Sequence, residues 1–264
     1  MDTRETNVAD KVERMKALYI ETTKHSHYQR MPRFLEGLIA PEDLRKAHDR
    51  FDEQRLDYFA SKLDFAGKRV LDIGANTGYF TFEAFERGAR EVICYEGNAE
   101  HAEFIRCAAG IFDRKVEVKE KYLDFASPVA EAPFDIVLLL NVLHHVGDDF
   151  GDKTLTIDQA RERIIENLNA FASQTDYIIV QIGFSWQTDY SKPLFEKGTK
   201  GEVIDFFRAG IKGYWKEVAI GIAEVDPNGA TEYKDLNDRN VLRNDSIGEF
   251  RNRPIFILKS VIRS

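Results

Sequence analysis

One stretch restricts the fold of this chain more than any other: Val70-Leu71-Asp72-Ile73-Gly74-Ala75-Asn76-Thr77-Gly78-Tyr79-Phe80-Thr81. An apolar run leaves Lys68-Arg69, meets a carboxylate, passes two glycines and enters a segment with Phe80, Ala84 and Phe85 at helical spacing. That order spells strand, tight loop and helix, the opening of a βαβ unit. A second apolar strand, Glu91-Val92-Ile93-Cys94-Tyr95, ends at Glu96. The interval from Gly74 to Glu96 is close to that at which an acidic side chain meets a ribose in nucleotide-binding βαβ units.

The loop separates two cofactor classes that share this architecture. A dinucleotide fingerprint needs glycine two residues after the first, so that the backbone can approach the pyrophosphate. Asn76 stands there, and its side chain would crowd a phosphate. Asp72, just before the loop, would repel pyrophosphate and suits a cationic ligand. The pattern therefore favours a nucleoside without phosphates.

Asp72-Ile73-Gly74-Ala75-Asn76-Thr77-Gly78, the acidic Glu96, and the run Phe134-Asp135-Ile136-Val137-Leu138-Leu139-Leu140-Asn141-Val142-Leu143-His144-His145-Val146 together resemble the first motif, the ribose-holding acid and the fourth-strand motif of class I S-adenosylmethionine-dependent methyltransferases. The resemblance covers about residues 67–177. It implies a Rossmann-like α/β fold with a seven-stranded, mostly parallel sheet and an antiparallel final strand, S-adenosyl-L-methionine as cofactor, and methyl transfer as the activity.

With 264 residues, 43% of them hydrophobic, the chain can bury a full core as one domain with additions. No run is long enough to cross a bilayer and Met1 to Arg14 is charged throughout, which sets the expectation of a cytoplasmic protein without membrane insertion. Two cysteines, Cys94 and Cys107, specify neither a disulfide scaffold nor a zinc site. A net charge of -8 argues against a general electrostatic footprint for nucleic acid, while 37 basic side chains leave room for a local basic patch. Oligomeric state is not legible.

Periodicity predicts a helix over 8–20, with Val8, Val12, Met15 and Tyr19 on one face, and a long helix over 41–63 that opens at Pro41. Residues 1–67 read as an N-terminal helical extension and 68–264 as the methyltransferase domain. Strands are expected at 69–73, 91–95, 115–119, 134–140, 176–183, 213–223 and 254–261, seven in all. Helices are expected at 78–87, 98–110, 157–172 and 202–209. Two long connections, 184–200 and 224–253, are candidates for acceptor recognition.

Within the cofactor site, Asp72 is expected to accept from loop amides and to place negative charge near the ammonium and sulfonium. Gly74 and Gly78 allow close approach of backbone and helix. Asn76 and Tyr79 belong to the same loop, and Glu96 is placed for both ribose hydroxyls. Gly97 and Asn98 frame the nucleoside. Where relatives often carry a carboxylate for the adenine amino group, this chain has Lys121, which cannot accept a hydrogen bond when charged. Asp124, backbone or a slightly different register must serve instead, with Tyr122 and Leu123 packing and Asn141 lining the methionine end.

Methyl transfer asks the protein to align a nucleophile and, for a hydroxyl, to remove a proton. His145 is the expected base and His144 its alternate, because imidazole accepts protons near neutrality. His144, His145, Asp148 and Asp149 also make a compact set of metal-ligand types, but adjacent histidines point to different sides of a regular element, so no metal is assigned. Tyr28, Arg30 and Arg33 in the polar N-terminal segment, Gln181, Trp186 and Tyr190 after the fifth strand, and Arg243 in the last long loop are the candidate acceptor contacts. The leading expectation is methyl transfer to oxygen of a small polar or glycan acceptor. Its rivals are tRNA modification, which would need a basic rim, and a cofactor-binding partner protein without catalysis.

Overall fold

A computed structural model of the protein describes residues 3–20, 29–39 and 50–263. Eight strands form a mixed sheet, and the chain divides into two compact units, residues 1–52 with 64–122 and residues 53–63 with 123–264.

In the first unit, helix α1 (Thr3–Ile20) packs on α4 (Ala99–Ile111). Strands β1 (Arg69–Ile73), β2 (Glu91–Tyr95) and β3 (Val116–Lys119) are parallel, in the order β3-β2-β1, with Asp72 opposite Cys94 and Ile73 opposite Tyr95. Helix α3 (Tyr79–Glu86) joins β1 to β2. Strands covered on both faces read as continuous apolar runs, and β1 and β2 are buried after their first residue. The buried face of α1 is Met15, Leu18 and Tyr19, whereas Val8 of the expected face is exposed. Met31, Leu35 and Ile39 join that face in one cluster with Ala75, Phe82, Cys94, Phe104 and Ile105. Arg14 adds a two-armed ion pair to Glu103 of α4.

In the second unit, helix α2 (Asp52–Ala60) forms within the long helix expected over 41–63. Residues 41–49 of that expectation lie outside the described residues, and Phe51, at φ 55°, stands in the left-handed region, which breaks a helix just before Asp52. Strands β4 (Phe134–Leu140) and β5 (Thr175–Gln181) are parallel and connected by α5 (Ile157–Asn169). After α6 (Lys200–Gly210), strand β6 (Trp215–Val225) pairs with β7 (Thr231–Asp235), and β8 (Ile255–Ser260) inserts antiparallel between β5 and β6. Helices α5 and α6 both start on capping boxes, Thr156 with Gln159 and Thr199 with Glu202.

β7 makes eight strands where seven were expected, so the expected loop 224–253 contains an antiparallel strand. Among the described residues, no helix is long and apolar enough to cross a membrane.

Candidate active site

The first unit carries the glycine loop. Gly74, Asn76 and Gly78 take φ values of 73°, 53° and 82°, a region that glycine enters without penalty and asparagine more readily than most residues. Glu96 closes the loop. Its Oε2 accepts from the amide of Asn76 at 2.7 Å and its Oε1 from the amide of Asn98 at 2.8 Å. A carboxylate offers about four acceptor sites, so a group fixed by two amides keeps capacity for two hydroxyls. His101, 3.8 Å from Oε1 and buried, is a neighbour that the sequence did not signal.

Asp72 differs from expectation in its partner. Its Oδ2 accepts from the hydroxyl of Thr81 at 2.7 Å, from within α3 rather than from loop amides. Burial raises its pKa to about 7, with the Thr81 hydrogen bond opposing the shift and the charge of Glu96 adding to it. A cation beside this carboxyl would draw off its proton.

Three other expected residues turn out to serve the backbone. The Tyr79 side chain is fully buried, and its amide donates to Gln29 Oε1 at 3.1 Å. Helix α3 begins after Gly78, which has no side chain to cap it, so an amide left orphaned by helix geometry is capped from 50 residues upstream. Asn98 caps α4, its side chain accepting from the amides of Glu100 and His101. Asn76 Oδ1 accepts from the amide of Thr77.

Gly97 is there for a steric reason. A Cβ at that position would fall 2.5 Å from the ring of Tyr122, which lies against the glycine backbone while remaining 54% exposed. Lys121 stands 5.7 Å from the centre of the Tyr95 ring. A bare backbone beside an open aromatic face suits a flat base. In the N-terminal segment, Tyr28 lies outside the described residues. The Arg30 guanidinium is 3.3 Å from Glu36, and Arg33 is an exposed side chain at the start of a short 3-10 turn.

In the second unit, Leu123 is buried and exposed Asp124 accepts from the amide of Ala126 in a local turn. Asn141, at φ 60°, follows β4. Its amide group donates to Gln181 Oε1 at 3.0 Å and its Oδ1 accepts from Arg253 at 2.8 Å. Gln181 also accepts from Arg55 at 3.2 Å and donates to the carbonyl of Arg253 at 3.0 Å. Arg253 is paired with Glu249, and the ring of Phe250 lies 5.1 Å from the Arg55 guanidinium and 5.0 Å from that of Arg253. Buried polar groups must be satisfied, and here Asn141 and Gln181 satisfy one another.

The two histidines part company. His144 is buried, and its Nδ1 accepts from the amide of Gly183 at 3.3 Å. The side chain of His145 is 20% exposed, with Nδ1 3.2 Å from Asp149 Oδ2. Ligand-type atoms of His145, Asp148 and Asp149 lie within 4.8 Å of one another, and His144, the fourth residue of the set the sequence suggests, is not part of that group.

Trp186 is buried and its indole N–H donates to the carbonyl of Val146 at 2.5 Å. Tyr190 is 81% exposed. Arg243 donates to the carbonyl of Gly198, pairs with Asp245 at 2.5 Å and covers the ring of Phe184. Of the acceptor residues expected in this unit, Gln181, Trp186 and Arg243 therefore brace loops, and Tyr190 projects to solvent.

These features coincide with a family match. Residues 44–175, half of the 264, match the methyltransferase domain family. The chain belongs to that family, the class I S-adenosylmethionine-dependent methyltransferases, and S-adenosylmethionine is its methyl donor. Ubiquinone biosynthesis O-methyltransferases of Xylella fastidiosa strains M23 and Temecula1 are each 25% identical to it over 125 residues, 47% of this chain and 50% of theirs. The chain thus spans about half the length of the curated relatives it matches.

Among solved structures, the bifunctional kinase-methyltransferase WbdD shares the fold. The TM-score is 0.53 at 17% identity, over 93% of this chain and 46% of WbdD. A second WbdD structure, with its C-terminal bundle ordered, gives 0.54 at 16% identity over 88% and 40%.

The donor set of the first unit fits this cofactor: an acid held by two amides for ribose hydroxyls, a buried acid for cationic groups, and glycines where backbone must come close.

Proposed function

We propose that the chain transfers a methyl group to oxygen of a small polar or sugar-like acceptor in the cytoplasm, with His145 accepting the hydroxyl proton. The observation that carries this reading is the partly exposed imidazole of His145 on the turn after β4, beside a histidine that is buried and bonded to backbone. When bound, S-adenosylmethionine supplies an electrophilic methyl group and its own thioether leaving group.

The chain's residues bind and move a proton. Glu96 takes the ribose hydroxyls and Asp72 the positive charge. Gly97 and Tyr122 take the base. His145 removes the proton of the acceptor hydroxyl, which frees an oxygen electron pair for attack. The O-methyltransferase names of the curated relatives support oxygen as the methylated atom. In this proposal residues 1–67 serve as an N-terminal extension of a methyltransferase domain at 68–264, and Tyr190 meets the outer part of the acceptor.

Replacing His145 by Ala tests it. Turnover should fall by about 100-fold or more, while affinity for S-adenosylhomocysteine, measured by calorimetry, stays within about twofold. Full turnover in that variant removes His145 as the base.

A further inference from the structure

We propose that Asp149 is a positioning residue for His145, and that the loop after β5 fixes the backbone of the same turn, so that the imidazole meets the acceptor already oriented. The proposal rests on the reading of His145 as proton acceptor.

The turn brings the two side chains together. The amides of Asp148 and Asp149 both donate to the carbonyl of His145, at 3.0 and 3.2 Å, and Gly147 takes φ 83°. Its own amide donates to the carbonyl of Phe150 at 2.6 Å. The outcome is the 3.2 Å approach of Asp149 Oδ2 to His145 Nδ1. The contact is an ion-pair approach rather than a formed hydrogen bond, so the carboxylate acts on the ring through its charge: it favours the proton on the facing Nδ1, which leaves the lone pair on Nε2 to accept from substrate. It also stabilises the imidazolium that results. His144 cannot be used this way, because its Nδ1 is itself an acceptor from Gly183.

The chain just beyond His145 is gripped from the loop after β5. Trp186 donates to the carbonyl of Val146 and Gln187 to that of Gly147, at 2.5 and 3.0 Å. Gln187 adopts φ 55° to do so. Lys192 Nζ donates to Gln187 Oε1 at 2.9 Å and sits 5.4 Å from the Trp186 ring centre. A Cβ on Gly147 would lie 2.9 Å from the carbonyl of Asp152 and 3.2 Å from Trp186, so the fit has no slack. Two adjacent carbonyls after one imidazole are thus held by side chains of one loop, Trp186 among them, which the sequence points to as an acceptor contact.

The charged residues on the turn and on the elements packed against it are Asp148 and Asp149 of the turn itself, Asp189 and Lys192 of the loop after β5, and Asp158, Arg161 and Glu162 in the first turns of α5. Asp149 is the one whose carboxylate pairs with the ring.

The test compares Asp149→Asn, Asp149→Glu, Trp186→Phe and His145→Gln in the full chain. Imidazole titrations are followed by NMR, and the His145 signal is assigned by its loss in His145→Gln. In Asp149→Asn the His145 pKa should fall by about one unit, because a stabilising negative charge is removed. The acidic limb of the turnover profile should move to lower pH with it, and turnover on the plateau should fall by about tenfold or more. Asp149→Glu should recover part of both, and affinity for S-adenosylhomocysteine should stay within about twofold throughout.

Trp186→Phe should lower turnover without moving the His145 titration, since it removes a tether and no charge. An unmoved His145 titration and unmoved acidic limb in Asp149→Asn would make the contact a surface ion pair and overturn the proposal. Full turnover in His145→Gln together with a shifted titration in Asp149→Asn would instead overturn the base assignment and leave the pairing intact.

Discussion

Asp72 holds opposed demands in one carboxyl group. In the unfolded chain it ionises near its ordinary 3.8, but in the fold burial holds the proton up to about 7. Between those values the unfolded chain has lost a proton that the native state keeps. The contribution of Asp72 to stability therefore falls as pH rises through that window, and the full cost is present above it. Asp72→Asn keeps an acceptor for Thr81 and removes the charge. Thermal melts without cofactor should show the variant above the natural protein at pH 8, with the gap closing toward pH 4.

Cofactor affinity should run the other way. A cationic ligand needs the ionised carboxylate, so affinity for S-adenosylmethionine in the natural protein should climb as pH rises to about 7, by about tenfold per pH unit at most, and then level off. The Asn variant should bind more weakly and without that slope. A slope that survives the substitution would assign the titration to another group.

At the scale of elements, the hairpin β6–β7 shows how a glycine seats a helix. Gly221 of β6 lies opposite Asp235 of β7, and the ring of Tyr58 from α2 rests directly on it. The Tyr58 hydroxyl donates to Asp235 at 2.8 Å, and Lys62 joins the same carboxylate. These two partners hold the Asp235 pKa below the ordinary carboxylate range, and burial together with Asp235 pushes the Tyr58 phenol up. Gly221→Ala should cost about 1–3 kcal/mol through the forced shift of that buried ring. A calorimetric melt should then drop by several degrees, and an unchanged melting temperature would mean that α2 slides without penalty.

The same hairpin marks where sequence reading stops. Strands β1, β2 and β4 are legible because buried parallel strands are unbroken apolar runs. β7 reads Thr-Glu-Tyr-Lys-Asp and buries only Tyr233, so no periodic signal betrays it. The turn residues Pro227-Asn228-Gly229 between it and β6 were the available cue. Gly74, Gly78 and Glu96 are legible because a local backbone requirement dictates their type. Gln29 and the Asn141-Gln181-Arg253 set owe their roles to contacts across long stretches of chain, which spacing does not encode. For the same reason the polar and aromatic residues at and after the end of β5 read as acceptor contacts, while in the structure Gln181 and Trp186 are buried and hydrogen-bonded within the protein.

For the molecule as a whole, the family match ends at residue 175, where β5 starts, and the mixed sheet continues through β8. In the proposed reading the glycine loop with Glu96 supplies the cofactor site, and the His145 turn with the loop after β5 supplies the proton acceptor. Everything functional depends on the first of these. The most direct measurement is calorimetric titration of S-adenosylhomocysteine into the natural protein and into Glu96→Ala. The natural protein should bind at one site per chain and the variant at least about tenfold more weakly, whereas no binding by the natural protein, or equal affinity in the two, would contradict the assignment of the Gly74 to Glu96 loop as the cofactor site.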